Sequence, residues 1–203
     1  KQGPILNFIR MCLETMSSLP SIVIGMSGLL VFVNLAGWGY SIIAGALSVS
    51  ILNIPSMTRI SETAIRHASK KVKEASLGLG ASKWQTIKKL TLPIAMKDIL
   101  TGIILASGRI FGEAAAFLYT AGLSSAMPNF NNISLTGKTS AFSLFRPAET
   151  LAVHIWKLNS EGIVPDASAI ANGTSAVLII MVLIFNILAK VIGNRMLKAY
   201  SGK

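Results

Sequence analysis

The chain has 203 residues, 52% of them hydrophobic and only 13% charged, about half the charged share of an ordinary soluble domain. The formal net charge of +11 is clustered along the chain, which argues against a nucleic-acid footprint, where a basic face would be expected. A single cysteine, Cys12, excludes an internal disulfide framework. His67 and His154 are too far apart in sequence to read as one metal site, so no metal or cofactor is expected.

A membrane-crossing helix needs roughly 20 mostly apolar residues. Four segments qualify: 19–36, 38–57, 94–123 and 173–192. The fold class expected is therefore an all-α membrane protein, with 1–203 as one transmembrane domain. The chain opens without Met or a signal peptide, and KQGPILNFIRMCLETMSSLPSIVIG reads as a helix running into the first span. The first two spans nearly abut across the turn 34–40 and form a hairpin. Pro20 and Pro55 are expected to kink or end them.

The loop 58–93 follows. Ala64, Ile65, Ala68, Val72 and Ala75 recur at helical spacing, which predicts a basic helix over 61–75. Gly78 and Gly80 end it, because glycine tolerates the left-handed conformation common after a helix C-terminus. Ser82 with Gln85 three residues on is a capping-box pattern for a second helix. Trp84, Ile87, Leu90 and Thr91 form its apolar stripe and Lys83, Lys88 and Lys89 its wet side. Pro93 is expected to end that helix at the membrane edge. The string GLGASK lacks the Gly-Lys-Ser/Thr ending of a phosphate-binding loop. On composition alone, a basic amphipathic helix lying on the membrane surface is an equal reading.

The third span, ILTGIILASGRIFGEAAAFLYTAG, carries Arg109 and Glu113 four residues apart, hence on one face if the helix is continuous. A central arginine costs ~2.5–3.5 kcal/mol on insertion scales, so such residues face a bundle interior, a wet cavity or a ligand. Gly108 and Gly112 give a GxxxG spacing that permits close helix packing. Two readings stand: a structural ion pair, or an anion site in which the arginine fork takes a tetrahedral oxyanion and Glu113 holds it in place.

Residues 124–172 are polar, with an amphipathic stretch over 147–158 in which Leu151, Ile155 and Trp156 are apolar. Trp156 is read as an interfacial anchor and His154 as a surface histidine. Lys and Arg crowd 58–93 and the C-terminus, are absent from the 34–40 turn and are sparse in 124–172. This positive-inside pattern places 58–93 and the C-terminus in the cytoplasm and 124–172 outside. It also suits contact with anionic membrane lipid.

The stretch EASLGLGASKWQTIKKLTLP resembles the coupling loop of ABC-type importer permeases, Glu-Ala-Ala, three residues, Gly, nine residues, Ile, one residue, Leu-Pro. Glu74, Ala75, Gly80, Leu92 and Pro93 match, while Ser76 replaces the second Ala and Leu90 the Ile. Together with LPSIVIG at 19–25, GRIFGEAAAFLYTAG at 108–122 and FRPAETLAVHIW at 145–156, the chain resembles the PstA-type permease of the phosphate-specific ABC importer, a MetI-like protein. That resemblance implies a six-span family, of which this chain lacks the first two spans, in a bacterial or archaeal plasma membrane. It implies a PstC-type permease partner, two copies of an ABC ATPase subunit that bind ATP, and an extracytoplasmic phosphate-binding protein. It assigns ATPase coupling to Glu74, Ala75, Ser76, Gly78, Gly80, Leu92 and Pro93, and phosphate passage to Gly108, Arg109, Gly112 and Glu113. The chain itself would perform no catalytic chemistry, within a complex that hydrolyses ATP. The alternatives are a permease for another oxyanion such as sulfate or molybdate, an ATP-independent secondary transporter, for which no internal repeat is visible, and a membrane-embedded enzyme using Glu113 or His154.

Overall fold

The computed structural model of the chain describes residues 3–122, 124, 126–162 and 164–200. Leu123 at the expected end of the third span, Ser125 and Ile163 in the polar segment, and Lys203 of the basic C-terminus lie outside the described residues. Among the described residues the regular structure is helical, with one isolated bridge between Asn129 and Ser140. Among the described residues, three helical stretches are long and apolar enough to cross a membrane: Ile42–Lys70, Lys83–Phe111 and Ala167–Arg195. A fourth arises only if Pro4–Ser17 and Ser21–Leu35, bent by 100°, act as one broken span.

The bend falls at Pro20, where a kink is expected, so the preceding helix does not run straight into the first expected span. Helix α1 (Pro4–Ser17) ends where Ser17 and Ser18 hydroxyls donate to the carbonyls of Glu14 and Thr15. Pro20 is extended, with φ −61° and ψ 143°, and caps α2 (Ser21–Gly28), which runs on as seven π-helical residues, Leu29–Leu35. Side-chain back-bonding and an extended proline together redirect the chain.

The second span and the basic helix are one element. Helix α3 (Ile42–Gly78) has 37 residues with Pro55 inside it, about 55 Å at 1.5 Å per residue. A hydrocarbon core of about 30 Å cannot contain it, so its basic half must project beyond. Pro93 likewise fails to end its helix. Helix α4 (Lys83–Thr86) passes through a π-helical turn, Ile87–Thr91, directly into α5 (Leu92–Phe111). In that turn the Leu92 N–H donates to the Ile87 carbonyl. The wider turn accommodates a ring that would otherwise clash with the carbonyl four residues back.

The third span, by contrast, is broken. Helix α5 stops at Phe111, and α6 (Ala115–Thr120) begins after a turn at 112–114. Helix α7 (Leu151–Glu161) occupies the expected amphipathic stretch, capped by the Thr150 hydroxyl and ended by Gly162 at φ 57°. Helix α8 (Ala167–Tyr200) extends beyond the expected fourth span at both ends. Its Ile179, Leu183 and Ile187 are each more than half exposed, as an apolar face turned to lipid or another subunit requires.

The chain divides into two compact units, Lys1–Pro55 with Arg109–Met181, and Ser56–Gly108 with Val182–Lys203. In the first, glycines let α2 and α3 approach α6 at backbone distance. A Cβ on Gly25 would lie 2.9 Å from the Ala115 carbonyl oxygen, and one on Gly28 would strike Ser48 Oγ and Thr120 Cγ2. A Cβ on Gly45 would lie 2.9 Å from the Phe117 ring. The polar segment closes the N-terminal end of α3: Ile42 and Ile43 N–H groups donate to the carbonyls of Arg146 and Leu144 at 3.0 Å. Trp38 joins the two, stacked on Phe32 at 5.7 Å and edge-on to Phe145 at 6.0 Å. In the second unit, Ala64, Ala68 and Ala95 form a small core with Ile99 packed against it. Gly102 receives the Ile60 side chain so closely that no Cβ fits. Small residues at these contacts are what van der Waals packing of membrane helices favours.

Candidate coupling knob and translocation turn

The end of α3 is built by backbone geometry. Gly80 has φ +83°. Its N–H donates to the Leu77 carbonyl at 3.0 Å, and the Ala81 N–H reaches back to Ser76 O at 3.1 Å. This pair of bonds is a Schellman closure, with glycine at the one position that must be left-handed. Two residues on, the Ser82 side chain accepts from the Gln85 N–H at 3.2 Å while Gln85 Oε1 accepts from the Ser82 N–H at 2.8 Å. The capping box expected from sequence is present on both sides.

What locks the knob is a side-chain bond. Ser76 Oγ and Thr86 Oγ1 lie 2.9 Å apart, both residues buried. Thr86 Oγ1 also donates to the Ser82 carbonyl at 3.1 Å, so Ser76 is the donor of the pair. The residue that departs from the Glu-Ala-Ala pattern thus ties α3 to α4.

Of the apolar stripe expected from sequence, Thr91 is buried and the rest is exposed. Trp84 is 70% exposed, Leu79 at the turn 88%, and Ile87 and Leu90 are exposed as well; the buried residues of this helix are Thr86 and Thr91. Glu74, Ala75, Gly78 and Gly80 are exposed too, and a Cβ on Gly78 or Gly80 would meet nothing within 4 Å. Leu92 and Pro93 are likewise exposed. The knob therefore presents a protruding apolar and largely basic surface, with Lys83, Lys88 and Lys89 exposed beside the single acidic residue Glu74. Beside it, α3 residues from Met57 to Glu74 line a groove of about 910 Å³ that carries Arg66, Lys70 and Lys73. Arg66 pairs with Glu62 at 2.7 Å, a surface pair of small energetic weight.

At the other end of α5, Arg109 and Glu113 are separated by the helix break rather than stacked on one face. The Gly112 and Glu113 N–H groups donate to the carbonyls of Arg109 and Ile110 at 3.1 Å, tightening the last turn. Glu113 Oε1 accepts from the Ala116 N–H at 3.2 Å, so its charge sits at the start of α6, where helix N–H groups lack internal partners. Arg109 is exposed and makes no ion pair among the described residues. Gly108 packs against Asn186 of α8, 3.0 Å from a Cβ position to Asn186 Oδ1, whereas Gly112 meets only the Arg109 carbonyl. The GxxxG pair is therefore split between a helix contact and a turn. Just before α7, Glu149 Oε1 lies 2.9 Å from Nδ1 of His154 on that helix.

Residues 2–199 match the family model described as "Binding-protein-dependent transport system inner membrane component". The chain belongs to that family. It is 57% identical over 194 residues to the probable ABC transporter permease protein YqgI of Bacillus subtilis, covering 96% of this chain and 66% of the relative. It is 36% identical over 126 residues to the phosphate transport system permease protein PstA 2 of Mycobacterium bovis, covering 62% of this chain and 42% of the relative. To the phosphate transport system permease protein PstA of Yersinia pestis it is 32% identical over 185 residues, covering 88% and 56%. The chain thus spans two thirds or less of the length of these relatives. No solved structure matches it.

The chain holds polar groups that its sequence did not single out. Ser48 Oγ, Thr91 Oγ1 and Asn186 Oδ1 are buried with no hydrogen-bond partner among the described residues. A lone asparagine in the apolar run 174–192 is a readable signal, because polar side chains inside spans bond across helices or line a pathway. Ser48 and Thr91 carried no comparable signal, since serine and threonine in helices commonly bond back to their own backbone.

Proposed function

We propose that the chain is the membrane-embedded permease of an ATP-driven importer of inorganic phosphate. The observation that carries this reading is Arg109: a guanidinium with no carboxylate partner among the described residues, at the end of a broken helix in a chain whose PstA-named relatives are phosphate transport permeases. An arginine fork takes two oxygens of a tetrahedral oxyanion at once. Glu113, drawn away to the start of α6, leaves that fork available.

The knob at 74–93 supplies the coupling. Its rigid turn and exposed Leu79, Trp84 and Ile87 form a surface suited to a groove on a separate ATPase subunit. In this reading the basic half of α3 and the C-terminus are cytoplasmic and 124–172 faces an external binding protein. A second, PstC-type permease completes the pathway, and ATP is bound by two ATPase copies. ATP-driven closure moves the knob, and α3 and α5, continuous with it, carry the movement into the membrane.

The test is phosphate uptake by the full-length protein, with its ATPase, partner permease and binding protein, in cells deleted for their own importer. Uptake lost in Arg109→Gln but present in the wild type supports the anion site. Equal uptake in both removes Arg109 from the pathway, and uptake of sulfate or molybdate instead of phosphate reassigns the substrate.

A further inference from the structure

A smaller cavity of about 210 Å³ lies between the end of α3 and the α4–α5 helix, large against the ~10–15 Å³ that one water requires. Thr91, only 2% exposed, lines it and leaves its hydroxyl without a partner among the described residues. Buried hydroxyls are nearly always satisfied, and an orphan calls for a ligand, ion or water. The Thr86 hydroxyl, which also lines the cavity, is already committed to Ser76 and Ser82.

Two cations complete the lining: Lys73 from α3 and Lys83 from α4, both exposed and so placed at the rim. Among the described residues no carboxylate lines the cavity, and neither lysine has an ion-pair partner. Ser69 adds a hydroxyl to the lining, and Leu77 and Ile87 give apolar walls. Two like charges at one mouth repel each other, and an anion between them converts that repulsion into two attractions, strengthened where apolar walls lower the local dielectric. The donors come from three stretches of chain, which suits an acceptor with several oxygens pointing in different directions, and lysine binds phosphate as a point charge.

We propose that this cavity is a binding site for a phosphate-class oxyanion, which cross-links Lys73 on α3 to Lys83 on α4 over the Thr91 hydroxyl. The anion is inorganic phosphate or the headgroup of an anionic phospholipid. The site is separate from Arg109 and does not depend on what the permease transports.

The experiment reads the lysines directly. The full-length permease in its assembled complex is placed in phosphatidylcholine nanodiscs and treated with an amine-acetylating reagent. Lysine modification is followed by mass spectrometry with and without inorganic phosphate, the ionic strength being matched with chloride. Bound phosphate slows acetylation of Lys73 and Lys83 by a factor of 1 + [L]/Kd, roughly three-fold at twice the dissociation constant. Lys88 and Lys89, on the same helix but outside the cavity, serve as controls and are unaffected. Protection in phosphatidylglycerol nanodiscs without added phosphate assigns the headgroup as the source.

Thr91→Val keeps the side-chain shape, and protection of both lysines should fall. Lys83→Gln, read at Lys73, repeats the test without touching the buried position. Protection by neither phosphate nor phosphatidylglycerol overturns the proposal, as does equal protection by chloride or full protection in Thr91→Val.

Discussion

Gly80 separates a backbone requirement from a docking requirement. Its φ of +83° lies in the left-handed region, and a Cβ built there meets nothing within 4 Å. Any L-residue therefore bears a conformational cost of about 1–2 kcal/mol with no steric addition from this chain. Asparagine bears less, because it visits that region more readily. A cost of that size loosens the Schellman closure about 5- to 30-fold, freeing the Gly80 and Ala81 N–H groups from Leu77 and Ser76. Amide exchange at these two positions in the purified permease should therefore rank Ala and Trp variants together, above Asn, above wild type. Transport per ATP in the reconstituted complex should rank differently. Gly80→Trp, whose bulk projects into open space where the ATPase is proposed to dock, should uncouple far more than Gly80→Ala. Wild-type exchange in Gly80→Ala would refute the left-handed requirement, and equal coupling in the Ala and Trp variants would refute docking at this turn.

Thr86→Val strands the buried Ser76 hydroxyl and should destabilise the knob by about 1–3 kcal/mol. Ser76→Ala should cost only about 0.5–1.5 kcal/mol, since Thr86 keeps the Ser82 carbonyl; thermal melts of the permease rank the two. Trp84→Ser changes a side chain 70% exposed, so permease stability should move by no more than about 0.5 kcal/mol while co-purification of the ATPase falls sharply. Unchanged co-purification would remove Trp84 from the interface. Gly28→Ala drives a methyl into Ser48 and Thr120 and should cost about 1–3 kcal/mol as overpacking. Ser48→Gly in the same chain should recover part of that loss, as a melt of the double variant would show.

Local chemistry was legible wherever a few neighbouring residues decide the outcome. Gly80 ends α3 because its own φ must be positive, and Ser82 with Gln85 caps α4 through bonds spanning three residues. The apolar runs identified a membrane protein because hydrocarbon demands continuous stretches of such residues. The family followed from spaced motifs, which are also local. The Trp84 stripe was legible as apolar, but periodicity marks a face without saying which molecule covers it, and within this chain Trp84, Ile87 and Leu90 stay exposed while Thr91 is buried.

Prolines and charges were less legible. A proline breaks a helix in isolation, yet Pro55 sits inside α3 and Pro93 follows a π-helical turn that runs on into α5. Whether the backbone can widen to accept the ring depends on the packing around it. Arg109 and Glu113 share a face only on a continuous helix, and the turn at Gly112 diverts Glu113 to the Ala116 N–H. The sequence by itself determined a helical membrane protein with several apolar spans and a glycine-hinged basic knob, since hydropathy, charge and turn chemistry act over short distances. The tertiary structure alone decided which glycines admit another helix, which hydroxyls are buried without partners, and that Arg109 stands apart from Glu113. Those outcomes depend on groups distant in sequence meeting in space, and no pattern along the chain records such meetings.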